Sequence, residues 1–127
     1  MAKETIGDPI VVGGNVIPIS KAVRVGDFVF LSGQVPFKDG APMTTGTVEE
    51  QTHVVMGMIK AILADAGCTL DDVIKANCWL PSKGDFLGFN KVYGEYFPKD
   101  PPARSTVVSG LMVDVKLEVE VTAYKPR

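Results

Sequence analysis

From Val113 to Tyr124 the chain alternates without a break. Val113, Val115, Leu117, Val119, Val121 and Ala123 fall on one side of an extended backbone, and Asp114, Lys116, Glu118, Glu120, Thr122 and Tyr124 on the other. A period of two predicts a strand with one packed face and one polar face. Asp72 to Leu80 predicts a second strand, ended by Pro81, and Thr106-Val107-Val108 a third. Towards the N-terminus, Ile17 to Val25 is extended, Gly26-Asp27 signals a turn, and Phe28 to Leu31 is a short apolar run, which together predict a hairpin. Two segments have a helical period instead. The first opens with a capping box, Thr47 and Glu50, carries apolar residues at Val55, Met58, Ile59, Ile62, Leu63 and Ala66, and closes at Gly67. In the second, Asp85 is the expected cap, Phe86, Phe89, Tyr93 and Tyr96 or Phe97 form the expected buried stripe, and Pro98 stops it. Pro36 to Gly46, broken by Gly40, Pro42 and Gly46, is expected to be a loop.

The predicted order is β-β-α-β-α-β-β. Two helices are too few to cover both faces of the sheet, so the expected class is α+β with both helices on one side. The opposite sheet face then needs water or a partner.

At 127 residues the chain is expected to be a single domain, 1–127, around one core. Hydrophobic residues make up 46% and charged ones 22%, so some apolar surface is expected to be covered by a partner subunit. A formal net charge of −2, with no cluster of Lys and Arg among aromatics, gives no footprint for nucleic acid. The N-terminal MAKETIGDPI has no apolar targeting core, and nowhere do eighteen apolar residues run together, so a soluble cytoplasmic protein without membrane contact is expected. His53 is the single histidine, and Cys68 and Cys78 do not form a CxxC pair. No metal site and no redox role is expected of them. Gly13-Gly14 lacks the following lysine of a phosphate loop and predicts only a turn.

The candidate chemistry begins at Pro101-Pro102-Ala103-Arg104-Ser105. Each proline fixes its own φ and biases the residue before it towards extended backbone, so Arg104 is delivered stiffly to the mouth of a strand. A guanidinium beside buried surface calls for a carboxylate, from Asp100 or from a ligand. Three other features could join it: the Ser32-Gly33-Gln34 corner, Asn90 on the second helix, and Glu118 with Glu120 on the polar face of the last strand. Taken alone, Glu118 and Asn90 are most simply surface residues. Ser32 lacks a GxSxG context and His53 has no orienting acid nearby in the sequence, so triad chemistry is not expected.

These segments in order, with Ser20-Lys21-Ala22-Val23-Arg24-Val25-Gly26-Asp27, Phe30-Leu31-Ser32-Gly33-Gln34-Val35-Pro36, Glu50-Gln51-Thr52, Phe89-Asn90-Lys91-Val92-Tyr93-Gly94-Glu95-Tyr96-Phe97, Pro102-Ala103-Arg104-Ser105 and Val115-Lys116-Leu117-Glu118-Val119-Glu120, resemble the RidA/YjgF family of enamine/imine deaminases, also called endoribonuclease L-PSP or translation inhibitors. The resemblance spans nearly the whole chain. It implies a chorismate-mutase-like α+β fold and a homotrimer whose sheets form a central barrel, with clefts between neighbouring subunits. It implies no cofactor. By position, Arg104 would hold the carboxylate of a small 2-imino acid such as 2-iminopropanoate (with its enamine 2-aminoacrylate) or 2-iminobutanoate, and Glu118 would lie near the attacking water. Ile19, Ser32, Gly33, Asn90 and Thr106 would line the pocket. Two positions depart from the family pattern: Ile19 stands where a tyrosine is usual, and Thr106 where a cysteine is usual. The resemblance leaves two other readings open, an endoribonuclease or translation inhibitor and a non-catalytic carboxylate-binding trimer.

Overall fold

The computed structural model describes residues 2–127. Its main sheet has six strands: β1 (Glu4–Ile6), β4 (Ala22–Val25), β5 (Phe28–Leu31), β8 (Val73–Leu80), β9 (Ala103–Val108) and β10 (Glu118–Tyr124). Between them come two small hairpins, β2 (Val11–Val12) with β3 (Asn15–Val16) and β6 (Phe37–Lys38) with β7 (Ala41–Pro42), and two helices, α1 (Val48–Asp65) and α2 (Phe86–Tyr96). The sheet order is β1-β4-β5-β10-β8-β9. Every pairing in it is antiparallel except β8 with β9. The fold is the expected mixed α+β, two helices packed on a mixed sheet.

Helix α1 starts as its sequence demands. Thr47 Oγ1 accepts from the Glu50 N–H at 3.1 Å, and Glu50 Oε1 accepts from the Thr47 N–H at 3.0 Å, which satisfies two of the free donors at the helix start. The helix then buries Val55, Met56, Ile59, Ile62 and Leu63 against the sheet. Met56 is the buried methionine, whereas Met58, placed in the stripe by its spacing, is only half-buried. From the sheet side Ala22, Val29, Leu31, Ala76, Cys78, Val119, Val121 and Ala123 close the same core. Gln51 is fully buried yet satisfied: its Nε2 donates to Thr45 O at 3.0 Å, and its Oε1 accepts from the Lys116 N–H at 2.8 Å.

Four expectations are corrected. The loop predicted over Pro36–Gly46 contains the β6–β7 hairpin, turned at Asp39 and Gly40, both with positive φ (54° and 78°). Two such residues in succession make the turn whose twist suits a two-residue hairpin, and Gly13-Gly14 does the same between β2 and β3. At the other end, the ladder of β10 begins at Glu118 rather than Val113, because Val115 N–H donates to Val113 O and Lys116 N–H to Gln51. Asp85 precedes α2 but makes no side-chain cap, since a single 3₁₀ turn, Lys83–Asp85, already feeds the helix. Phe86, expected in the buried stripe of α2, is 39% exposed.

The sheet face away from the helices stays bare. Phe28, Phe30, Ile74, Val107 and Tyr124 are each 42–49% exposed there, and Phe28 packs edge-on against Tyr124 at 5.1 Å between ring centres.

Candidate functional site

Arg104 lies on edge strand β9 opposite Ala76, and Thr106 lies opposite Cys78. Ala76 and Cys78 are core residues, so the side chains of Arg104 and Thr106 stand on the helix-covered face. There the guanidinium meets α2: its carbon is 4.8 Å from the centre of the Tyr93 ring, 5.5 Å from Phe89 and 5.8 Å from Phe86. Three rings at these distances hold a cation by their π faces and limit its rotation. Among the described residues no carboxylate pairs with Arg104, so Asp100 is not its partner. Around it the polar groups are also unpartnered: Tyr93 OH, Thr106 Oγ1 and Asn90 Oδ1 are each buried without a hydrogen bond. Burial pushes the Tyr93 hydroxyl up to about 12, and the Cys78 thiol, next to Thr106 across the ladder, also up to about 12. Both are neutral groups at physiological pH.

Glu118 belongs to a different place. It pairs with Trp79, which pairs in turn with Val107, so Glu118 shares the bare face of the sheet. Two strand spacings across and three residues along separate its Cα from that of Arg104 by roughly 14 Å, on opposite faces. The two side chains of one protomer do not meet. What Glu118 does meet is the Ser32-Gly33-Gln34 corner. Gln34 bridges to Val119 through both backbone bonds, at 2.8 and 3.0 Å, which brings Gly33 against the Glu118 carboxylate. A Cβ at Gly33 would overlap Glu118 Oε2. Burial raises the Glu118 carboxyl above its usual range, and the neighbouring Glu120 adds to the rise. Glu120 itself accepts a bond from Asn77 Nδ2 at 3.1 Å, while Glu118 has no hydrogen-bond partner among the described residues.

The remaining expected residues divide accordingly. Asn90 and Thr106 fall on the Arg104 side, Ser32 and Gly33 on the Glu118 side. The Ser32 hydroxyl donates to Ser20 O at 2.6 Å, so its proton is committed to closing the corner rather than free for a ligand. Ile19 is half exposed and lines a cleft of about 280 Å³ formed with the N-terminal arm, Thr5 to Pro9, and with Ser20, the acceptor of the Ser32 bond, so it borders the Glu118 side. The aromatic cradle has no signal of its own in the sequence. Phe86, Phe89 and Tyr93 form an i, i+3, i+7 stripe whose spacing predicts core, yet the same stripe faces Arg104. No cluster of three or more His, Cys, Asp or Glu side chains able to hold a metal occurs among the described residues, and no helix there is long and apolar enough to cross a membrane.

Fold and site together define a class: a mixed-sheet α+β protein with an uncovered sheet face and a free arginine cradled at the sheet edge. The sequence model of the family described as Endoribonuclease L-PSP matches residues 15–125, and the chain belongs to this family, the RidA/YjgF family of the motifs above. A RutC family protein of Pyrococcus abyssi is 44% identical over 110 residues, covering 85% of this chain and 87% of the relative. The mitochondrial protein MMF1 of Saccharomyces cerevisiae is 37% identical over 107 residues, covering 84% of this chain and 74% of the relative. Among solved structures, yeast Mmf1 superimposes with a TM-score of 0.88 at 32% identity, covering 98% of this chain and 99% of that one. RidA from an Antarctic Psychrobacter species gives 0.83 at 32% identity, covering 95% and 98%.

Proposed function

We propose that this protein hydrolyses reactive 2-imino acids and their enamine tautomers, such as 2-iminopropanoate and 2-iminobutanoate, to 2-oxo acids and ammonia. The observation that carries the reading is Arg104: a guanidinium held on three aromatic rings, with no carboxylate partner among the described residues. A ligand carboxylate completes it with two parallel charge-assisted bonds. A protonated imine is already electrophilic at C2, so what the protein supplies is position and a base. Water adds to C2 and gives a proton to Glu118, whose raised pKa makes it a stronger base than an ordinary glutamate. The resulting carbinolamine takes that proton back on nitrogen, and as the C–N bond breaks its hydroxyl proton passes to Glu118, so that ammonia leaves and a C=O bond forms in the 2-oxo acid. No cofactor enters the scheme.

Because Arg104 and Glu118 of one protomer stand on opposite faces, the proposed site is composite. The bare face with Phe28, Phe30 and Ile74 packs against further copies in a homotrimer, and Glu118 of one copy approaches Arg104 of the next. A cytoplasmic location is part of the proposal, although two fungal relatives are described as mitochondrial. The RNA-cleaving reading has the family's name, Endoribonuclease L-PSP, behind it, but a net charge of −2 offers little to a polyanion.

The test generates 2-iminobutanoate from threonine with a dehydratase and follows its loss. Wild type is expected to accelerate the decay. Arg104→Met, which keeps the side-chain bulk, is expected to lose at least about a hundredfold in kcat/KM, since two charge-assisted bonds are worth about 3 kcal/mol or more. Unchanged decay with wild type defeats the reading, and full activity in Arg104→Met defeats the role of the arginine.

A further inference from the structure

Next to Arg104, at the C-terminal ends of β8 and β9 and the start of α2, opens a cleft of about 270 Å³. Its apolar walls are Leu80, Phe86 and Val108, Thr106 and Lys83 also line it, and Val107, whose side chain stands on the opposite face, borders it along the strand edge. Two of those walls are large hydrophobics left open: Phe86 is 39% and Val108 53% exposed. Phe86 is common to both places, since its ring also carries the Arg104 guanidinium. Along β9 the residues on the helix side follow the order Arg104, Thr106, Val108, with steps of roughly 6.6 Å. A free cation, an unpartnered hydroxyl and an apolar trough therefore lie in sequence along one strand. The matching ligand has an anionic head and an apolar tail.

We infer that the preferred substrates are 2-imino acids with bulky apolar side chains of four or more non-hydrogen atoms, seated in the cleft between Leu80, Phe86 and Val108. This rests on the deaminase reading of the Arg104 site. The head group stays at Arg104, with the Thr106 hydroxyl in reach of its carboxylate, so the cleft receives the side chain alone. An ethyl group, two carbons long, falls short of the roughly 6.6 Å step from Thr106 to Val108 and leaves the far wall uncovered. An isobutyl, methylthioethyl or benzyl group covers the walls and removes water from them. The balance is unchanged by the tail: R–C(=NH)–COO⁻ and water give R–CO–COO⁻ and ammonia, with the C=N bond broken, a C=O bond formed, and no bond to R altered.

An amino-acid oxidase can supply the imines of leucine, methionine, 2-aminobutyrate and glutamate in parallel, with semicarbazide as the competing trap. Leucine- and methionine-derived imines are expected to exceed the 2-aminobutyrate-derived imine at least about tenfold in kcat/KM, the range for added methylenes in an apolar pocket. Val108→Trp, which fills the trough from an exposed position, is expected to lower that ratio about tenfold. The inference falls if the small imine is preferred by wild type, if the glutamate-derived imine is fastest through pairing with Lys83, or if folded Val108→Trp leaves the ratio unchanged. If no imine is turned over, the deaminase reading fails separately. Calorimetry with stable 2-oxo acids then decides the cleft: tighter binding of 4-methyl-2-oxopentanoate than of 2-oxobutanoate supports it, and equal or weaker binding, or none, overturns it.

Discussion

Substituting Gly33 by alanine adds one carbon where the corner after β5 touches Glu118. A Cβ built there overlaps Glu118 Oε2, lies 3.1 Å from Cδ and 3.3 Å from Cγ. Carbon atoms rest at about 3.5–4.0 Å, so the whole carboxylate end must withdraw, and Oε2 by the most. The backbone of Gly33 cannot give way instead, because Gln34 is tied to Val119 through both of its backbone groups. Gly33 does not have the left-handed φ that would itself demand glycine, so the consequence is confined to the carboxylate. A displacement on the order of 1 Å in a group that must meet the attacking water costs about a hundredfold in rate. Steady-state turnover of 2-iminobutanoate is expected to show kcat down about a hundredfold with KM within about threefold, since Arg104 is untouched. Thermal unfolding is expected to move little, because Glu118 is a flexible side chain on the open face. Turnover within threefold of wild type would refute the placement of Glu118 as the base, and a collapse of the melting temperature would show that the corner is structural instead.

Three further outcomes follow from the ionisable groups. Glu118 has a raised carboxyl pKa in the folded state, so its ionisation opposes folding at every pH above that value. Glu118→Gln is therefore expected to match or exceed wild type in melting temperature at pH 7, to lose this advantage below the ordinary glutamate range near about pH 4, and to lose at least about a hundredfold in kcat; lower stability at pH 7 would contradict the sign. Wild-type kcat/KM should rise with pH through a value above that range, and a flat profile from pH 4 to 7 would remove Glu118 as the base. For Cys78, with its thiol near 12, the thiolate fraction at pH 8 is roughly a thousandfold below that of an ordinary cysteine. Ellman's reagent is expected to label it only after denaturation, and fast labelling of the native protein would show that the core beside Thr106 opens.

The contrast between what could be read from the sequence and what could not follows from range. The capping box of α1 involves neighbours within four residues and occurs where its spacing puts it, whereas the alternation read from Val113 is a strand only from Glu118 on, because Lys116 N–H is bonded to the side chain of Gln51. Arg104 could be singled out because the prolines before it act locally. The hairpins at Gly13-Gly14 and Asp39-Gly40 carried the dipeptides that such turns require, but their two-residue strands are too short to show a period. The separation of Arg104 from Glu118 had no local signal at all. Alternation fixes the face of a residue only within its own strand. Relating β9 to β10 needs the register of both on β8, including the parallel pairing of Ala76 with Arg104, which joins residues 28 positions apart. For the same reason the stripe of α2 reads as core: periodicity gives a face, and only the placement of β9 shows that a cation lies against it.

The placement of Arg104 and Glu118 on opposite faces of one sheet also has a genetic meaning. If each working centre draws one residue from each of two copies, a lesion in either can be carried by a different chain. Arg104→Met and Glu118→Gln proteins, each inert alone, would recover part of the activity when dissociated and reassembled together, because some junctions would then receive two intact halves. Dilution would act in the opposite sense, turning the protein off without unfolding it.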